Sequence, residues 1–507
     1  PMNFSFYETT RADSLVSDKL FENVNGKFKN VSSSVHLPIE KGSGLALVVS
    51  DINLDGWPDI YVANDWMQND YTYINQKNKT FKDECARLFT KNSIFSMGCD
   101  IADINNDGLP EIINLDMAPT DHYRIKTHDT KQPIDYYVME ENYGKVVQYN
   151  RDMLQINKGH NKFSEQGEMA GIARVDWGWS ALWVDFTNDG WKDLFVGKGM
   201  GRDIGDRDYD NLMFTIGQKP EYKHVEGAYF KNMPLYLHAN YFFNNNKGTG
   251  FSQATRDWGV DQEVNTQGAA YADLDNDGRL DLVINNIDTT AIIYRNTGGR
   301  ERNHYLRISI SGEKQNTFGL GTKAWLYSKG KMQYAELTNS RGYQSSSEPI
   351  LHFGLANDTT IDSVLIVFPS FKYTVLKNVK ANQHLVLEEQ KADGQHFNYQ
   401  LKETVKYLLE DKTKNISPVF VHRESDFNDF KRDKLIPRMF SKEGPALAVG
   451  DLNGDGKDDF FVGGAADQKG AVYLQQGDGA FTLKNQADFT GGVASEDVAA
   501  LIADLNG

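Results

Sequence analysis

A nine-residue phrase occurs five times in the sequence, with acidic, amide or hydroxyl side chains at positions 1, 3, 5 and 9 and glycine at position 6. Oxygen atoms at alternate positions of a tight loop converge on one point, and the glycine permits the sharp turn. Hard oxygen ligands on such a loop suit Ca²⁺, whereas Zn²⁺ prefers histidine and cysteine, which do not recur in the phrase. The sequence therefore predicts about five calcium-binding loops.

The candidate calcium ligands are the side chains at positions 1, 3, 5 and 9 of each copy. They are Asp51, Asn53, Asp55 and Asp59; Asp103, Asn105, Asp107 and Glu111; Asp185, Thr187, Asp189 and Asp193; Asp273, Asp275, Asp277 and Asp281; and Asp451, Asn453, Asp455 and Asp459. Thr187 at position 3 and the longer Glu111 at position 9 depart from the pattern. A solvated Asp/Asn-Gly turn explains a single copy equally well, but five copies in register favour a cation.

Short apolar runs precede and follow the phrases, as in residues 446–449 and 460–463 around the fifth copy. Runs rich in β-branched and aromatic residues are typical of strands, whereas EF-hand loops are followed by helices. Each loop is therefore predicted to be the turn of a β-hairpin. Two further strand-like runs follow most hairpins, so one repeat comprises about four strands.

The shortest distance between copies is about 52 residues, as from Asp51 to Asp103, and longer distances add insertions. Four strands in such a period predict a blade of a β-propeller. The pattern resembles the FG-GAP/VCBS repeat family of calcium-loaded β-propellers over roughly residues 1–300 and 440–507. This resemblance implies calcium-binding blades and a surface or extracellular role.

The calcium phrase is absent from residues 303–389, where other strand-like runs replace it. Residues 316–321, 340–349 and 351–355 resemble the ASPIC/UnbV module, which follows FG-GAP blades in the cartilage-acidic-protein-like family. The resemblance implies a small β-sandwich-like module with no assigned reaction. His352, at a strand end, is expected to be structural.

The predicted fold class is all-β, with calcium-binding propeller blades, the module and the start of a second propeller. The predicted divisions are a propeller of about four blades over 1–302, the ASPIC/UnbV module over 303–389, a polar connector over 390–436 and first blades of a second propeller over 437–507. The chain starts at Pro1 and stops inside a sixth copy that begins at Asp504. A fragment of a large Bacteroidetes-type protein, with about three earlier blades completing a seven-bladed ring, is therefore expected.

Composition limits the classes of partner. The formal net charge is −16, from 70 acidic and 54 basic residues, and bound calcium would offset much of it. Without a basic stripe, a nucleic-acid partner is not expected. The sequence contains no run of about 18 apolar residues, so we expect no transmembrane segment in this chain.

Loops of this kind usually bind calcium at concentrations found outside cells, which favours an exported protein. We expect it on the extracellular face of the bacterial outer membrane, lipid-anchored through a missing N-terminus, or alternatively secreted. Cys85 and Cys99 would form a disulfide in an oxidising compartment, or else remain two buried thiols, and the sequence leaves both alternatives open.

Two insertions, residues 117–150 and 199–236, combine tyrosines with charged residues, which suits protein interfaces or sugar stacking. The aromatic residues would otherwise simply pack the insertions onto the propeller. The candidate partner-binding residues are Tyr123, Tyr136, Tyr137, Tyr143, Arg202 and Tyr209.

No catalytic motif is evident, with no G-x-S-x-G, H-E-x-x-H, P-loop or C-x-x-C pattern. The sequence therefore favours a non-enzymatic, calcium-stabilised binding or adhesion protein at the cell surface. It would bind a protein or glycan through its loops, for example as an accessory subunit beside outer-membrane transporter or assembly components. The alternative is a protein that binds or processes extracellular polysaccharide on a calcium propeller.

Overall fold

The structure is a computed structural model that describes residues 17–38, 42–66, 68–128, 146–217, 233–298, 303–313, 315–399, 408–433, 435–484 and 494–504. Its regular structure consists mostly of strands with a few short helices, which confirms the predicted all-β class. The chain divides into two compact units, residues 1–401 and 402–507.

Up to residue 298, the described residues of the first unit form a series of short strands and four helices. The strands are β1 (Phe21–Val24), β2 (Lys27–Asn30), β3 (Ser43–Ser50), β4 (Asp59–Asp65), β5 (Tyr71–Asn75), β6 (Phe81–Asp83), β7 (Lys91–Ser93), β8 (Cys99–Ala102), β9 (Glu111–Asn114), β10 (Val147–Tyr149), β11 (Met153–Asn157), β12 (Phe163–Glu165), β13 (Gly178–Val184), β14 (Asp193–Lys198), β15 (His238–Ala239), β16 (Tyr241–Asn245), β17 (Phe251–Gln253), β18 (Glu263–Val264), β19 (Thr266–Ala272), β20 (Asp281–Asn286) and β21 (Ile292–Tyr294). The helices are α1 (Cys85–Leu88), α2 (His122–Thr127), α3 (Gly167–Ala170) and α4 (Arg207–Gly217).

Most of these strands form four antiparallel sheets that follow the repeats, while β1-β2, β15-β18 and the parallel pair β7-β10 are separate two-stranded pairs within the described residues. Sheet 1 has the order β3-β4-β5-β6, sheet 2 β8-β9-β11-β12, sheet 3 β13-β14-β16-β17 and sheet 4 β19-β20-β21. Each begins with the hairpin that carries a calcium phrase, as the sequence predicts. Whether the sheets are blades of a closed propeller stays a prediction.

The core of this region lies between neighbouring sheets. Val48 and Tyr61 of sheet 1 pack with Ile112 of sheet 2 in one buried cluster. A second cluster joins sheets 2 and 3 and contains Leu154 and Trp183. A third joins sheet 3 to sheet 4. Alternating side chains of each strand thus bury apolar area on both faces of the inner sheets, which is the main stabilising contribution.

Residues 303–399, described without residue 314, form what we call the middle module. Its strands are β22 (His304–Ser311), β23 (Lys323–Ser328), β24 (Lys331–Glu336), β25 (Leu351–Ala356), β26 (Thr360–Val367), β27 (Tyr373–Lys380) and β28 (Gln383–Glu388), followed by a 3₁₀ turn at Glu389–Lys391. They make two sheets, β25-β22-β28 and β24-β23-β26-β27. Leu306, Phe353, Leu326 and Ile366 fill the space between them, as in a β-sandwich.

The second unit contains one sheet in the order β29-β33-β32-β31-β30. Its elements are a 3₁₀ turn at Thr413–Asn415, β29 (Ile416–Ser417), α5 (Asp429–Arg432), β30 (Leu447–Gly450), β31 (Asp459–Val462), β32 (Ala471–Gln475) and β33 (Phe481–Leu483). Strand β29 pairs in parallel with β33, so the predicted connector supplies the outer strand of this sheet.

The two cysteines are buried free thiols, Cys85 in α1 and Cys99 in β8. The sequence left a disulfide and two buried thiols as alternatives, and the structure contains the two thiols. Burial raises the pKa of both well above the usual range, which makes them poor nucleophiles in the folded protein.

Candidate functional site

Each calcium phrase forms the turn between the first two strands of its sheet, at β3–β4, β8–β9, β13–β14, β19–β20 and β30–β31. We call these turns loops 1 to 5. The glycine at position 6 has a positive φ in every loop, from 80° in Gly456 to 92° in Gly56 and Gly190. Residues with a Cβ rarely adopt this conformation, so the glycine is a requirement of the turn.

The carboxylate at position 1 accepts a hydrogen bond from the backbone N–H of position 6 in all five loops. The N···O distances are 2.7 Å from Gly56 to Asp51, 3.0 Å from Gly108 to Asp103, 2.8 Å from Gly190 to Asp185, 2.9 Å from Gly278 to Asp273 and 2.8 Å from Gly456 to Asp451. This contact folds the turn back over its first residue.

The carboxylate at position 9 closes each loop by accepting from the backbone N–H of position 2. The N···O distances are 3.0 Å from Ile52 to Asp59, 2.9 Å from Ile104 to Glu111, 3.2 Å from Phe186 to Asp193, 3.0 Å from Leu274 to Asp281 and 3.0 Å from Leu452 to Asp459. In loop 1 the other oxygen of Asp59 accepts from Asn75 on the third strand at 2.8 Å. Position 9 therefore connects the loop to its sheet, and the longer Glu111 does so as well.

Loops 2, 3 and 4 offer oxygen atoms that a hard cation could bind. In loop 4, carboxylate oxygens of Asp273, Asp275 and Asp281 all lie within 4.8 Å of one another. In loop 2, Oδ1 of Asp103 is buried and has no hydrogen-bond partner. In loop 3, the Thr187 hydroxyl lies 3.4 Å from Asp185. A buried oxygen without a donor is costly unless a cation faces it, so these residues fit Ca²⁺.

Burial opposes ionisation of several of these carboxylates. It raises the pKa of Asp103 to about 6, of Asp185 to about 7, of Asp59 to about 8 and of Glu111 to about 9. Loop 5 is mostly exposed. Hydrogen bonds from several backbone N–H groups, that of Gly456 foremost, lower the pKa of Asp451 there. The same turn therefore lies in two very different electrostatic environments.

Two loops have a buried cation from the middle module beside position 1. The ammonium of Lys323 lies 3.3 Å from Asp51 in loop 1, and it also lies 3.6 Å from Glu336. The guanidinium of Arg307 lies 2.8 Å from Asp273 in loop 4. These residues partly neutralise the loops from a segment of the chain more than two hundred residues from loop 1.

The middle module packs directly on loops 1 to 4. A Cβ built on Gly56 would lie 2.6 Å from Phe371, one on Gly108 2.8 Å from Met332, and one on Gly190 2.9 Å from Gln333. Tyr305 occupies the corresponding position over Gly278. The glycines at position 6 therefore serve the contact with the module as well as the turn.

His352 is one of these module contacts, because its Nε2 lies 2.6 Å from Oδ1 of Asn188 in loop 3. Burial lowers its pKa to about 3, so the imidazole is neutral. It joins the module to the loop, in agreement with the structural role expected from the sequence.

Residues 340–347 of the module reach the first strand of all four sheets. Ser340 donates to the carbonyl of Leu47 in β3 at 3.1 Å, and Ser345 accepts from the backbone of Ala269 in β19 at 3.2 Å. Arg341 forms a buried ion pair with Asp100 of β8 and donates to the carbonyl of Trp183 in β13 at 3.0 Å. We call these residues the central segment, because they contact all four sheets.

The described parts of the two insertions lie at the other end of the sheets, because they follow the second strand of a hairpin whose turn is one of these loops. A buried ion network attaches them there. Arg124 of α2 pairs with Asp176 and lies 2.8 Å from Asp203, and Lys198 of β14 lies 3.0 Å from Asp176. Burial lowers the pKa of Lys198 to about 8, whereas the two cations outweigh the burial of Asp176 and lower its pKa.

The predicted partner-binding residues have different surroundings. Tyr123 of α2 is 65% exposed. Arg202 is partly buried and donates to the carbonyl of Met233 at 2.5 Å, and Tyr209 lies in α4 and is partly buried. Tyr136, Tyr137 and Tyr143 lie outside the described residues, as do residues 505–507 of the sixth copy.

Sequence reasoning missed the cations that face the carboxylates. Lys323, Arg307 and Arg341 are each 8% exposed or less. The available signal was a basic residue inside an otherwise apolar strand, as Arg307 is in β22, because a buried charge implies a partner. The identity of that partner depends on the tertiary structure.

Comparison with known families supports the repeats and the module. The FG-GAP-like repeat family matches residues 51–113 and 451–507, and the ASPIC and UnbV family matches residues 312–394. The chain therefore contains FG-GAP-like repeats and an ASPIC/UnbV domain. The latter falls within the middle module.

The chain also has weak homology to cartilage acidic protein 1. It is 32% identical to the Xenopus tropicalis protein over 108 residues, which are 21% of this chain and 16% of that protein. It is 28% identical to the Homo sapiens protein over 133 residues, 25% of this chain and 20% of that protein. The matched segment thus spans a fifth or less of the length of these relatives.

A solved structure of an Agrocybe aegerita lectin, described as recognising non-reducing terminal N-acetylglucosamine, aligns with 88% of this chain and 80% of its own. The identity is 14% and the TM-score is 0.26. At this TM-score, the likeness supports no argument about fold or ligand.

The repeats and the domain suggest an extracellular or adhesion-type protein, and FG-GAP repeats suggest protein interaction. Among the described residues, no helix combines the length and the apolar character that a membrane span requires.

Proposed function

We propose that this protein is a calcium-stabilised, non-enzymatic binding protein of the cell surface. It would act as an adhesin or as an accessory subunit of an outer-membrane protein complex. The observation that carries the proposal is the hydrogen-bonding pattern shared by loops 1 to 5, together with the buried, unpartnered Oδ1 of Asp103 in loop 2. Calcium would supply the positive charge that these oxygens face.

Access for an ion supports the calcium part of the proposal. A cavity between the loops and the middle module is lined by Asp103 and Asp185, the first carboxylates of loops 2 and 3. Lys192 and Glu336 also line it. Lys323 and Arg307 form ion pairs with position 1 of loops 1 and 4, whereas the ammonium of Lys192 attracts Asp103 and Asp185 but donates to the backbone carbonyl of Asp103 at 3.0 Å. We therefore expect loops 2 and 3 to bind calcium more tightly.

The proposed partner-binding surface is chosen by which end of the four sheets a partner could reach. Among the described residues, the middle module covers the loop end of the four sheets, and a partner would therefore bind at the insertion end. There α2 presents the exposed Tyr123, and Arg124 holds this helix to Asp176 and Asp203. A rigidly held, exposed aromatic residue is typical of a protein-binding surface.

A location on the extracellular face of the bacterial outer membrane, with a lipid anchor, belongs to the same proposal. It is supported by the FG-GAP repeats, which suggest an extracellular protein, and by the calcium concentrations that such loops require.

The test is a pull-down of the protein from its native membrane in calcium, with an EDTA-treated sample alongside. Tyr123→Ala serves as the surface variant, and Tyr327→Ala, at an exposed tyrosine of the middle module, is the matched control. We expect membrane proteins that co-purify stoichiometrically in calcium, are lost in EDTA or with Tyr123→Ala, and are kept with Tyr327→Ala.

A protein that comes down alone in calcium would contradict the subunit role. If its melting temperature nevertheless falls in EDTA, the calcium part would stand. The search for function would then move to glycans and to polysaccharide-processing activity.

A further inference from the structure

A second cluster of potential metal ligands lies in the second unit, away from loop 5. His422, Glu424 and Glu496 each offer a ligand atom, and these three atoms lie within 4.8 Å of one another. His422 and Glu424 follow β29, whereas Glu496 comes from residues 494–504. The cluster therefore joins two parts of the unit that are distant in sequence.

The histidine has a defined orientation. Its Nδ1 lies 3.1 Å from the backbone carbonyl oxygen of Gly463, and its Nε2 lies 2.7 Å from a carboxylate oxygen of Glu424. A carbonyl oxygen only accepts hydrogen bonds, so Nδ1 carries the proton. In the neutral imidazole, Nε2 then presents its lone pair to the carboxylates, and a positive centre, either a proton or a metal ion, must lie between them.

The backbone around Glu496 is fixed. The N–H of Asp497 donates to the carbonyl of Gly464 at 2.9 Å, and its side chain accepts from the N–H of Gly464 at 2.9 Å. The N–H of Ala446 donates to the carbonyl of Asp497 at 3.0 Å. Glu496 is therefore held between the residues before β30 and those after β31.

Gly444 completes the enclosure. Its N–H donates to Oε1 of Glu496, and a Cβ built on it would lie 2.6 Å from that oxygen and 3.2 Å from Cε1 of His422. A side chain at position 444 would displace the end of Glu496, so glycine keeps the backbone close to both ligands.

From this geometry, we propose that His422, Glu424 and Glu496 bind a divalent transition metal ion of the zinc class. One imidazole nitrogen with two carboxylates is a donor set that such ions accept, and a histidine whose other nitrogen donates to a backbone carbonyl is typical of metal ligands. The nitrogen donor distinguishes the site from the all-oxygen calcium loops. Glu424 is exposed, so water can complete the coordination.

Such an ion would attach the segment after β29 to the residues before β30 and to residues 494–497. The contact would stabilise the edge of the sheet to which the short strand β29 belongs. The site is independent of the proposed calcium-dependent function.

The test is a zinc titration of the full chain, first stripped with a chelator and then held in excess calcium to occupy the loops. We expect one zinc ion per chain, detected by calorimetry and by metal analysis after desalting, and a higher melting temperature with zinc. His422→Gln and Glu496→Gln should each weaken zinc binding by about tenfold or more and remove the thermal shift. Glu443→Gln, at a neighbouring glutamate that pairs with Arg438, is the matched control and should bind as the unaltered chain does.

Equal zinc binding by the unaltered chain and both variants would overturn the proposal. So would the absence of zinc binding to the unaltered chain, because a protonated His422 paired with Glu424 would then explain the contact. Circular dichroism of each variant without metal establishes that a lost titration is not a lost fold.

Discussion

Individual carboxylates decide where a cation is needed. Asp103 differs from the equivalent residues of loops 1 and 4 because its buried Oδ1 has no hydrogen-bond partner, while Asp51 and Asp273 face Lys323 and Arg307. Lys192 attracts Asp103 but donates to its backbone carbonyl at 3.0 Å rather than to the carboxylate, so this carboxylate gains most from a bound ion.

We predict that Asp103→Asn will bind one calcium ion fewer than the unaltered chain. Its melting temperature in calcium should fall by about 1 °C for each kcal/mol of binding free energy lost, with little change in EDTA. Calcium-binding stoichiometry and thermal melts in both buffers check this. Asp458→Asn, at an exposed acid outside the ligand positions, is the control. A similar loss of melting temperature in EDTA would indicate a structural role instead.

A second residue-scale prediction concerns Asp70, which is buried at the start of β5 and is not a candidate ligand. Burial raises its pKa from 3.8 to about 7, although Tyr61 and the Asn64 backbone donate hydrogen bonds to it. Between these two values the folded protein holds a proton that the unfolded chain releases. The free energy of unfolding therefore falls as the pH rises from about 4 to about 7.

Asp70→Asn cannot titrate, so its free energy of unfolding should decline less over this pH range than that of the unaltered chain. Denaturant unfolding at several pH values measures the two slopes. Asp288→Asn, at an exposed aspartate, should keep the original slope. Parallel slopes for the chain with and without Asp70 would contradict the assignment.

At the scale of elements, the hairpins position the ligands and the middle module covers them. The position 6 glycines of loops 1 to 4 touch Phe371, Met332, Gln333 and Tyr305 of the module. The central segment adds contacts with β3, β8, β13 and β19. The module thus stabilises the four sheets from one end, and the ion network of Arg124 stabilises the insertions at the other.

We predict that the central segment depends on its one buried ion pair. Arg341→Met leaves Asp100 buried without a counter-charge, which should destabilise the first unit by about 3–5 kcal/mol. Lys329→Met removes the exposed partner of Asp358 and should cost about 0–1 kcal/mol. Chemical denaturation gives both values. If Arg341→Met cost as little as Lys329→Met, the central segment would be held by its backbone contacts alone.

At the scale of the whole molecule, calcium and folding of the first unit should be linked. Loops 1 to 4 all contact one module, so loss of calcium would weaken the support of every sheet together. Loop 5 has the same turn, but it is exposed and belongs to the other unit.

We therefore predict that EDTA shifts one cooperative thermal transition that includes the four sheets and the middle module. Differential scanning calorimetry with hydrogen exchange of β8, β13 and β23 would follow it. Separate transitions for the sheets and the module in EDTA would show that the loops and the module are not coupled. An unchanged transition would count against calcium in the loops.

The sequence by itself determined the turns and their strands. The hydrogen bonds from position 6 to position 1 and from position 2 to position 9 form within nine residues, and they are the same in exposed loop 5 as in loop 1, which the middle module covers. Local spacing suffices for such contacts because the participating groups are covalently close. The strand order of the repeats and the all-β class follow from the same local patterns.

Only the tertiary structure decided which surface of the loops is covered and by what. Lys323 reaches Asp51, Arg341 reaches Asp100, and His422 meets Glu496, all across long stretches of chain. A buried charge in a sequence indicates that a partner exists, but many acids are available to pair with it. Packing of the apolar faces brings one particular pair together, and that choice depends on the whole core rather than on spacing along the chain.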